Sequence, residues 1–197
     1  MPKPSSPYHH GDLRGACLRA ARELLEEDGS AGLSLRAVAR RAGVSPTAPY
    51  RHYADRDALL TAVASEGYGE LAGFLAAAHP APAAPDDLTA VAVAYVRFAL
   101  AHPALFRVMF AEPCDPGDAE RAAATATFSA YVTALVQNTF PGATAPDALA
   151  TAVWALVHGL AFLHLDGELD ATDPAAVDAR VRAAVHAVLT TRGQDAR

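Results

Sequence analysis

Residues 32–53, GLSLRAVARRAGVSPTAPYRHY, constrain this chain more than any other stretch, because they read as two short helices joined by a tight turn. Ser34 is placed to cap the first helix, and Leu35, Val38, Ala39 and Ala42 follow at helical spacing, leaving Arg36, Arg40 and Arg41 on other faces. Gly43 stands where the chain must turn, since glycine takes a left-handed backbone without a Cβ clash, and Val44 plugs the turn. Ser45 offers a second N-cap and Pro46 a proline at the first helical position, where a missing N–H costs nothing. Pro49 falls where the first intrahelical bond would form and pushes Ala48 toward extended geometry, so the second helix is short or irregular at its start. Its other side chains, Thr47, Tyr50, Arg51, His52 and Tyr53, suit phosphates and base edges. Two readings stand at this point: a DNA-reading helix-turn-helix, and an ordinary helical hairpin with a solvated, charged face.

Residues 1–8, MPKPSSPY, carry prolines without periodicity and read as a loosely docked arm; His9 and His10 that follow are not a tag. Helical spacing from Asp12 to Asp28, stopped by Gly29, predicts a first helix that supports the next two. After Tyr53, Asp55 caps a long helix running to about Ala78, and the proline-rich HPAPAAPDD at 79–87 ends it and marks a joint. Beyond the joint the pattern predicts a helix over 88–110 that Pro103 breaks or kinks. A linker with Pro113, Pro116 and Gly117 follows, then helices at about Asp118–Asn138, Asp147–Leu165 and Pro174–Thr190. The expected architecture is all-α with about nine helices. Residues 1–57 form an N-terminal helix-turn-helix unit, 58–78 a connecting helix, and 79–197 a C-terminal bundle for ligand binding and dimerisation.

The overall charge of −6 counts against nucleic acid until it is divided along the chain. Residues 1–57 hold nine Lys and Arg against seven Asp and Glu, while 58–197 hold seven against fifteen, so the positive excess travels with the helix-turn-helix. The apolar stretches are broken by His, Asp, Arg or Pro before reaching the roughly 18 residues a membrane span needs, and no apolar signal core opens the chain. A cytoplasmic protein with no membrane partner is the expectation. Cys17 and Cys114, without paired ligand spacing, predict buried reduced thiols and no metal site. No serine elbow, glycine-rich phosphate loop, paired carboxylates or HExxH pattern is present, which predicts a protein that is not an enzyme and holds no cofactor.

The order GLSLRAVARRAGVSPTAPYRHYADRDALL, preceded by an amphipathic helix and followed by a longer one, resembles the N-terminal DNA-binding domain of the TetR family of bacterial regulators. The resemblance runs through roughly residues 9–65. It implies that the helix after the turn enters the major groove, with Pro46 and Thr47 facing bases, Tyr50, His52 and Arg56 holding phosphates, and Ser34 and Arg36 approaching the backbone. Ser45 and Arg51 complete the expected DNA-binding set. The family usually carries an aliphatic residue where Pro49 stands and often Phe at Tyr53.

A second stretch, AVWALVHGLAFLHLDGEL with Trp154, His158 and Gly159, is similar to the WHG-type C-terminal domain of one TetR subgroup, and HPALFRVMF fits the same subgroup. This resemblance implies a homodimer paired through the two closing helices, bound to palindromic double-stranded operator DNA and released by a small-molecule effector. Trp154, His158 and Phe162, a helical turn apart, can wall a pocket, and Tyr95, Phe98, Phe106, Met109, Phe110 and Phe128 are further candidates; core packing is the competing role for each. Two alternative functions remain: a helical enzyme or carrier whose hairpin is structural, and a regulator that answers to a protein partner through a filled C-terminal core.

Overall fold

Eight α-helices and two 3-10 turns, with no strand among the described residues, make up the computed structural model, which describes residues 12–111 and 117–191. The proline-bearing arm at 1–8, His9, His10, Pro113, Cys114 and Pro116 lie outside the described residues. Helix α1 (Leu13–Asp28) begins where the Asp12 carboxylate accepts the Gly15 N–H at 2.9 Å, and ends where Gly29, at φ 69°, turns its N–H onto the Leu25 carbonyl. Helix α2 (Leu35–Arg41) follows a 3-10 turn at Ser30–Gly32. Helix α3 (Arg56–Ala78) is capped by Asp55, whose carboxylate accepts the Ala58 N–H at 2.9 Å.

The proline-rich joint is tied down. The Asp87 carboxylate accepts the Ala83 and Ala84 N–H groups, each at 2.9 Å, and meets His79 Nε2 at 3.0 Å; the two backbone donors hold its pKa below the usual carboxylate range. Helix α4 (Pro85–Ala101) starts there, three residues ahead of the expected position, because Pro85 supplies a preset φ at its first turn. At His102 the chain bends by 105° into α5 (Pro103–Phe110), the break that Pro103 predicted. Helices α6 (Ala119–Thr139), α7 (Pro146–Leu165) and α8 (Pro174–Thr191) complete the fold.

Helix α3 organises the packing. It lies against α1 on one side and against α4, α5 and α6 over the rest of its length. Its approach to α5 is closest at Gly67, where an added Cβ would lie 2.7 Å from Met109 Sδ and 3.0 Å from Leu105 Cδ1. The next residue, Tyr68, donates its hydroxyl to the Met109 carbonyl at 3.1 Å, and Arg121 of α6 donates to the same carbonyl at 3.0 Å. One apolar cluster runs from Cys17 on α1 to Val185 on α8. Helix α7 has the length and mean hydropathy (1.7) of a membrane span, more than its His-interrupted sequence suggested. In the fold it packs against α4, α6 and α8.

Candidate functional site

Two regions collect the side chains that sequence reasoning singled out, and α3 passes through both. The first is the turn after α2. Ser34 Oγ accepts the Ala37 N–H at 3.1 Å as a helix cap, which leaves its own O–H to donate from an exposed position. At the other end Gly43, at φ 69°, donates to the Arg40 carbonyl at 3.3 Å while Val44 donates to the Ala39 carbonyl at 3.0 Å. That pair of bonds is a Schellman closure, which only a left-handed residue at Gly43 permits.

The segment after the turn is not an α-helix. Residues 46–48 form a turn and Pro49–Arg51 a 3-10 turn, because Pro49 has no N–H to offer the Ser45 carbonyl, which takes the Ala48 N–H at 2.9 Å instead. The bonds then run Arg51 to Ala48 at 3.2 Å and His52 to Pro49 at 3.0 Å. Two local expectations change. Ala48 is in the right-handed helical region (φ −61°, ψ −44°) and not extended, since the tight turn overrides the preference of a residue before proline. Ser45 Oγ caps no N–H; it stands 3.4 Å from Thr47 Oγ1. Pro49 itself is buried, which puts an apolar ring where an aliphatic side chain was expected.

This packing leaves Ser45, Pro46, Thr47, Tyr50, Arg51 and His52 exposed as one projecting surface, with Tyr50 52% accessible. Tyr53 faces the other way: it is buried, its hydroxyl reaches the Arg14 carbonyl at 3.4 Å, and burial pushes its pKa up. The arginines divide similarly. Arg14, Arg19, Arg22 and Arg41 are paired with Glu120, Asp12, Glu70 and the Glu23–Glu27 pair, and Arg41 holds Glu27 below the usual carboxylate range. Arg56 donates to the Ser30 carbonyl at 2.7 Å and contacts Asp57 at 3.4 Å, so its guanidinium braces the loop before α2. Arg36, Arg40 and Arg51 remain exposed and without an ion pair among the described residues. Arg40 was not among the residues singled out by sequence. Its distinguishing feature is that Arg41, its neighbour, takes both acidic partners on α1, a choice that spacing does not reveal.

The second region is a cavity bounded by Leu75 of α3, Leu88, Val91 and Tyr95 of α4, Phe128 and Leu135 of α6, and Val153 and Trp154 of α7. Its free space is about 30 Å³, room for one or two waters by that measure. Of the nine predicted pocket residues, Tyr95, Phe128 and Trp154 line it. Phe106, Phe110, His158 and Phe162 form an aromatic cluster behind it, with His158 4.8 Å from Phe110 and 5.0 Å from Phe162 between ring centroids. Phe98 meets Phe74 edge-on and His102 at a tilt, and Met109 is fully buried against Gly67. Packing explains the placement of Phe106, Met109 and Phe110: α5 leaves the 105° bend underneath α3, which turns its aromatic face into the core.

The polar tips in this region are linked. Trp154 Nε1 donates to Tyr95 Oη at 3.3 Å, and Tyr95 Oη lies 2.9 Å from His158 Nδ1. Burial lowers the pKa of His158 and raises that of Tyr95, so both are held neutral. The other lining residues, Leu75 and Val132 among them, were not picked out as pocket residues, being apolar positions with no chemical signal apart from helical periodicity. Among the described residues no three His, Cys, Asp or Glu side chains are grouped to hold a metal ion.

Comparison with known proteins covers both regions. Residues 18–63 match the family model described as bacterial regulatory proteins, tetR family, and residues 88–188 match that of the tetracyclin repressor-like C-terminal domain. An HTH-type transcriptional regulator of Mycobacterium bovis is 31% identical over 137 residues, covering 66% of this chain but 58% of that protein, so the match spans little more than half of the relative. A structure of a protein with unknown function from Rhodococcus sp. RHA1 is 34% identical, covers 92% of this chain and 97% of its own, and superposes with a TM-score of 0.77. A bacterial regulatory protein in the tetR family from Rhodococcus RHA1 is 26% identical with a TM-score of 0.66, covering 89% and 96% of the two chains.

Proposed function

The chain belongs to the TetR family of bacterial regulatory proteins, and from that premise we propose that it is a homodimeric, operator-binding transcriptional regulator, most simply a repressor, that a small molecule releases from DNA. The observation that carries this is the projecting surface Ser45–His52, in which Thr47, Tyr50, Arg51 and His52 are exposed, while Arg36 and Arg40 of the preceding helix are exposed and have no carboxylate partner among the described residues. On this reading Pro46 and Thr47 meet base edges, Tyr50, Arg51 and His52 meet phosphates, and Arg36 and Arg40 approach the backbone from α2. Ser34 and Arg56 also approach the backbone, while one caps α2 and the other braces the loop before it.

We also place the chain in the WHG-type subgroup, for which Trp154, His158 and Gly159 on α7 are the support. The proposed dimer interface is the outer face of α7 and α8, where Ala152, Ala155 and Leu163 of the first and Ala179 and Ala183 of the second are exposed in the single chain. Two recognition segments in such a dimer must sit about 34 Å apart to reach successive major grooves. The cavity wall supplies the switch: Leu75 lies on α3, the helix that also carries the N-terminal unit, so a ligand that displaces Leu75 changes that spacing. The small free volume favours one competing reading, a regulator that responds to a protein partner and needs no pocket.

Footprinting of the purified protein on the promoter of its own gene and its neighbours tests the proposal. The expected result is protection of a palindrome that weakens steeply with salt. Absence of protected DNA at low salt refutes it.

A further inference from the structure

On the outside of the bundle, α3, α4 and α8 bound an open groove of about 430 Å³ that is separate from the cavity: Leu75 turns into the cavity, while its neighbour Phe74 walls the groove. Ala90 and Ala94 of α4 form part of the floor, and Ala77 stands beside Phe74 on α3. Phe74 is 41% accessible, an aromatic ring left in water next to other apolar side chains. The lining carries no carboxylate, and its polar side chains are Arg97 of α4 and Arg182 of α8.

The two guanidinium groups differ in what they have left to give. Arg97 is forked onto Asp178 of α8, its Nε–H donating to Oδ1 at 2.9 Å and its Nη2 to Oδ2. The fork neutralises Arg97 and fixes its plane, and it leaves the Nη1 hydrogens for another acceptor. Arg182, one helical turn after Asp178, is exposed and makes no ion pair among the described residues. The groove therefore presents one uncompensated positive charge at the side of an apolar floor. Arg182 lies about 100° around α8 from Ala183, which separates the groove from the proposed dimer face.

We propose that this groove binds a monoanionic amphiphile, a straight-chain carboxylate whose hydrocarbon lies over Ala90 and Ala94 against Phe74 and whose head group meets Arg182 and the remaining Arg97 hydrogens. The length follows from the floor. Ala90 to Arg97 is about 10 Å along the helix axis, and an extended chain advances about 1.2 Å per bond, which a chain of about eight carbons matches. A cationic head on the same chain meets Arg182 with like charge, and a short carboxylate forgoes the apolar contact. The site is independent of the reading of the cavity as the effector site.

Isothermal titration of the full-length protein with octanoate, octyltrimethylammonium and acetate tests this. The expected result is one octanoate per chain, with the other two weaker by at least about fivefold, as one exposed charge contact implies. Arg182→Glu should reverse the preference toward octyltrimethylammonium, which structural damage would not produce, and Ala77→Trp should fill the groove and abolish octanoate binding. Both positions are exposed, and circular dichroism confirms that the variants fold. No octanoate binding, acetate or the cation binding as tightly, or octanoate binding that both variants leave unchanged overturns the proposal; the last result places the ligand in the cavity. Light scattering supplies a further check, since a dimer that Ala77→Trp dissociates assigns the groove to a second copy of the chain and also overturns it.

Discussion

Gly67, Gly69 and Gly73 lie within two turns of one another on α3, yet replacing each with alanine is expected to act in opposite directions. In a helix interior alanine is worth about 0.8–1.0 kcal/mol over glycine. At Gly69 and Gly73 the backbone is exposed and nothing lies within 4 Å of a new Cβ, so each substitution should realise that gain. At Gly67 the Cβ would stand 2.7 Å from Met109 Sδ and 2.9 Å from Met109 Cγ, where unstrained contacts need roughly 3.5–4.0 Å. Met109 and Leu105 are 0% and 2% accessible, and the Met109 carbonyl is pinned by Tyr68 and Arg121, so only the thioether can yield. Overpacking of this kind costs about 1–3 kcal/mol. For a chain of this size Gly67→Ala should thus melt some 2–12 °C below Gly69→Ala, read by circular dichroism at one fixed protein concentration. Met109→Ala vacates the space the methyl needs, so the double variant Gly67→Ala/Met109→Ala should be more stable than the sum of its parts by at least about 1 kcal/mol. If Gly67→Ala stabilises as much as Gly69→Ala, or the pair is additive within about 0.5 kcal/mol, the close α3–α5 contact is not what fixes glycine at this position.

On DNA, Arg51→Ala should weaken binding across all sequences and flatten the salt dependence by about one unit of slope, whereas Thr47→Ala should alter sequence preference; indistinguishable effects in a binding-site selection would contradict these roles. Leu163→Arg, at a side chain 43% accessible in the single chain, should yield a folded monomer by light scattering with operator affinity lost, and a dimer that persists would exclude this face. Stability should decline with acid in a window set by His158. Burial holds its folded pKa below the ordinary value of 6.5, so its contribution is complete above pH 6.5 and is lost as pH falls through the lower folded value. Urea unfolding between pH 8 and 5 should show this decline, and His158→Gln should flatten it.

The helices were legible because their punctuation is chemical. Asp12, Ser34 and Asp55 cap through their own side chains, Gly29 and Gly43 take the left-handed backbone, and Pro103 bends the chain where it stands. The recognition segment was legible only in part: the sequence exposes the conflict at Pro49, but the outcome depended on whether its ring could be buried, which needs the neighbouring helices. Site residues divided in the same way. Tyr95, Phe128 and Trp154 reach the cavity while Phe106 and Met109, on α5, do not, because the 105° bend before α5 decides which face turns inward; Phe98, on α4 itself, faces Phe74 and His102 instead. Arg56 has the right charge and position to meet a phosphate, and the fold adds a bond that spacing does not reveal, from its guanidinium to the Ser30 carbonyl 26 residues earlier in the chain.

The Gly67 contact also bears on the proposed switch, in which a molecule entering the cavity alters the projecting surface after α2. Helix α3 extends from Arg56, beside the projecting segment, to Leu75 in the cavity wall and ends at Ala78. At 1.5 Å per residue Leu75 lies about 12 Å beyond Gly67 along the axis, and Arg56 about 16 Å before it. Gly67 is where α3 presses closest on α5, with Met109 held from both sides, so it is the natural fulcrum for a rigid tilt. A 1 Å displacement at Leu75 then moves the start of α3 by about 1.3 Å in the opposite direction, and in a two-fold dimer the two recognition segments shift by twice that component. The aromatic cluster behind the cavity, from Phe106 to Phe162, is too densely packed to absorb the displacement, since buried rings rearrange between discrete arrangements and do not deform continuously. The small resting cavity is therefore compatible with a switch: a space that is nearly closed without ligand obliges any ligand that enters to move a wall, and Leu75 belongs to the helix that continues into the DNA-facing unit.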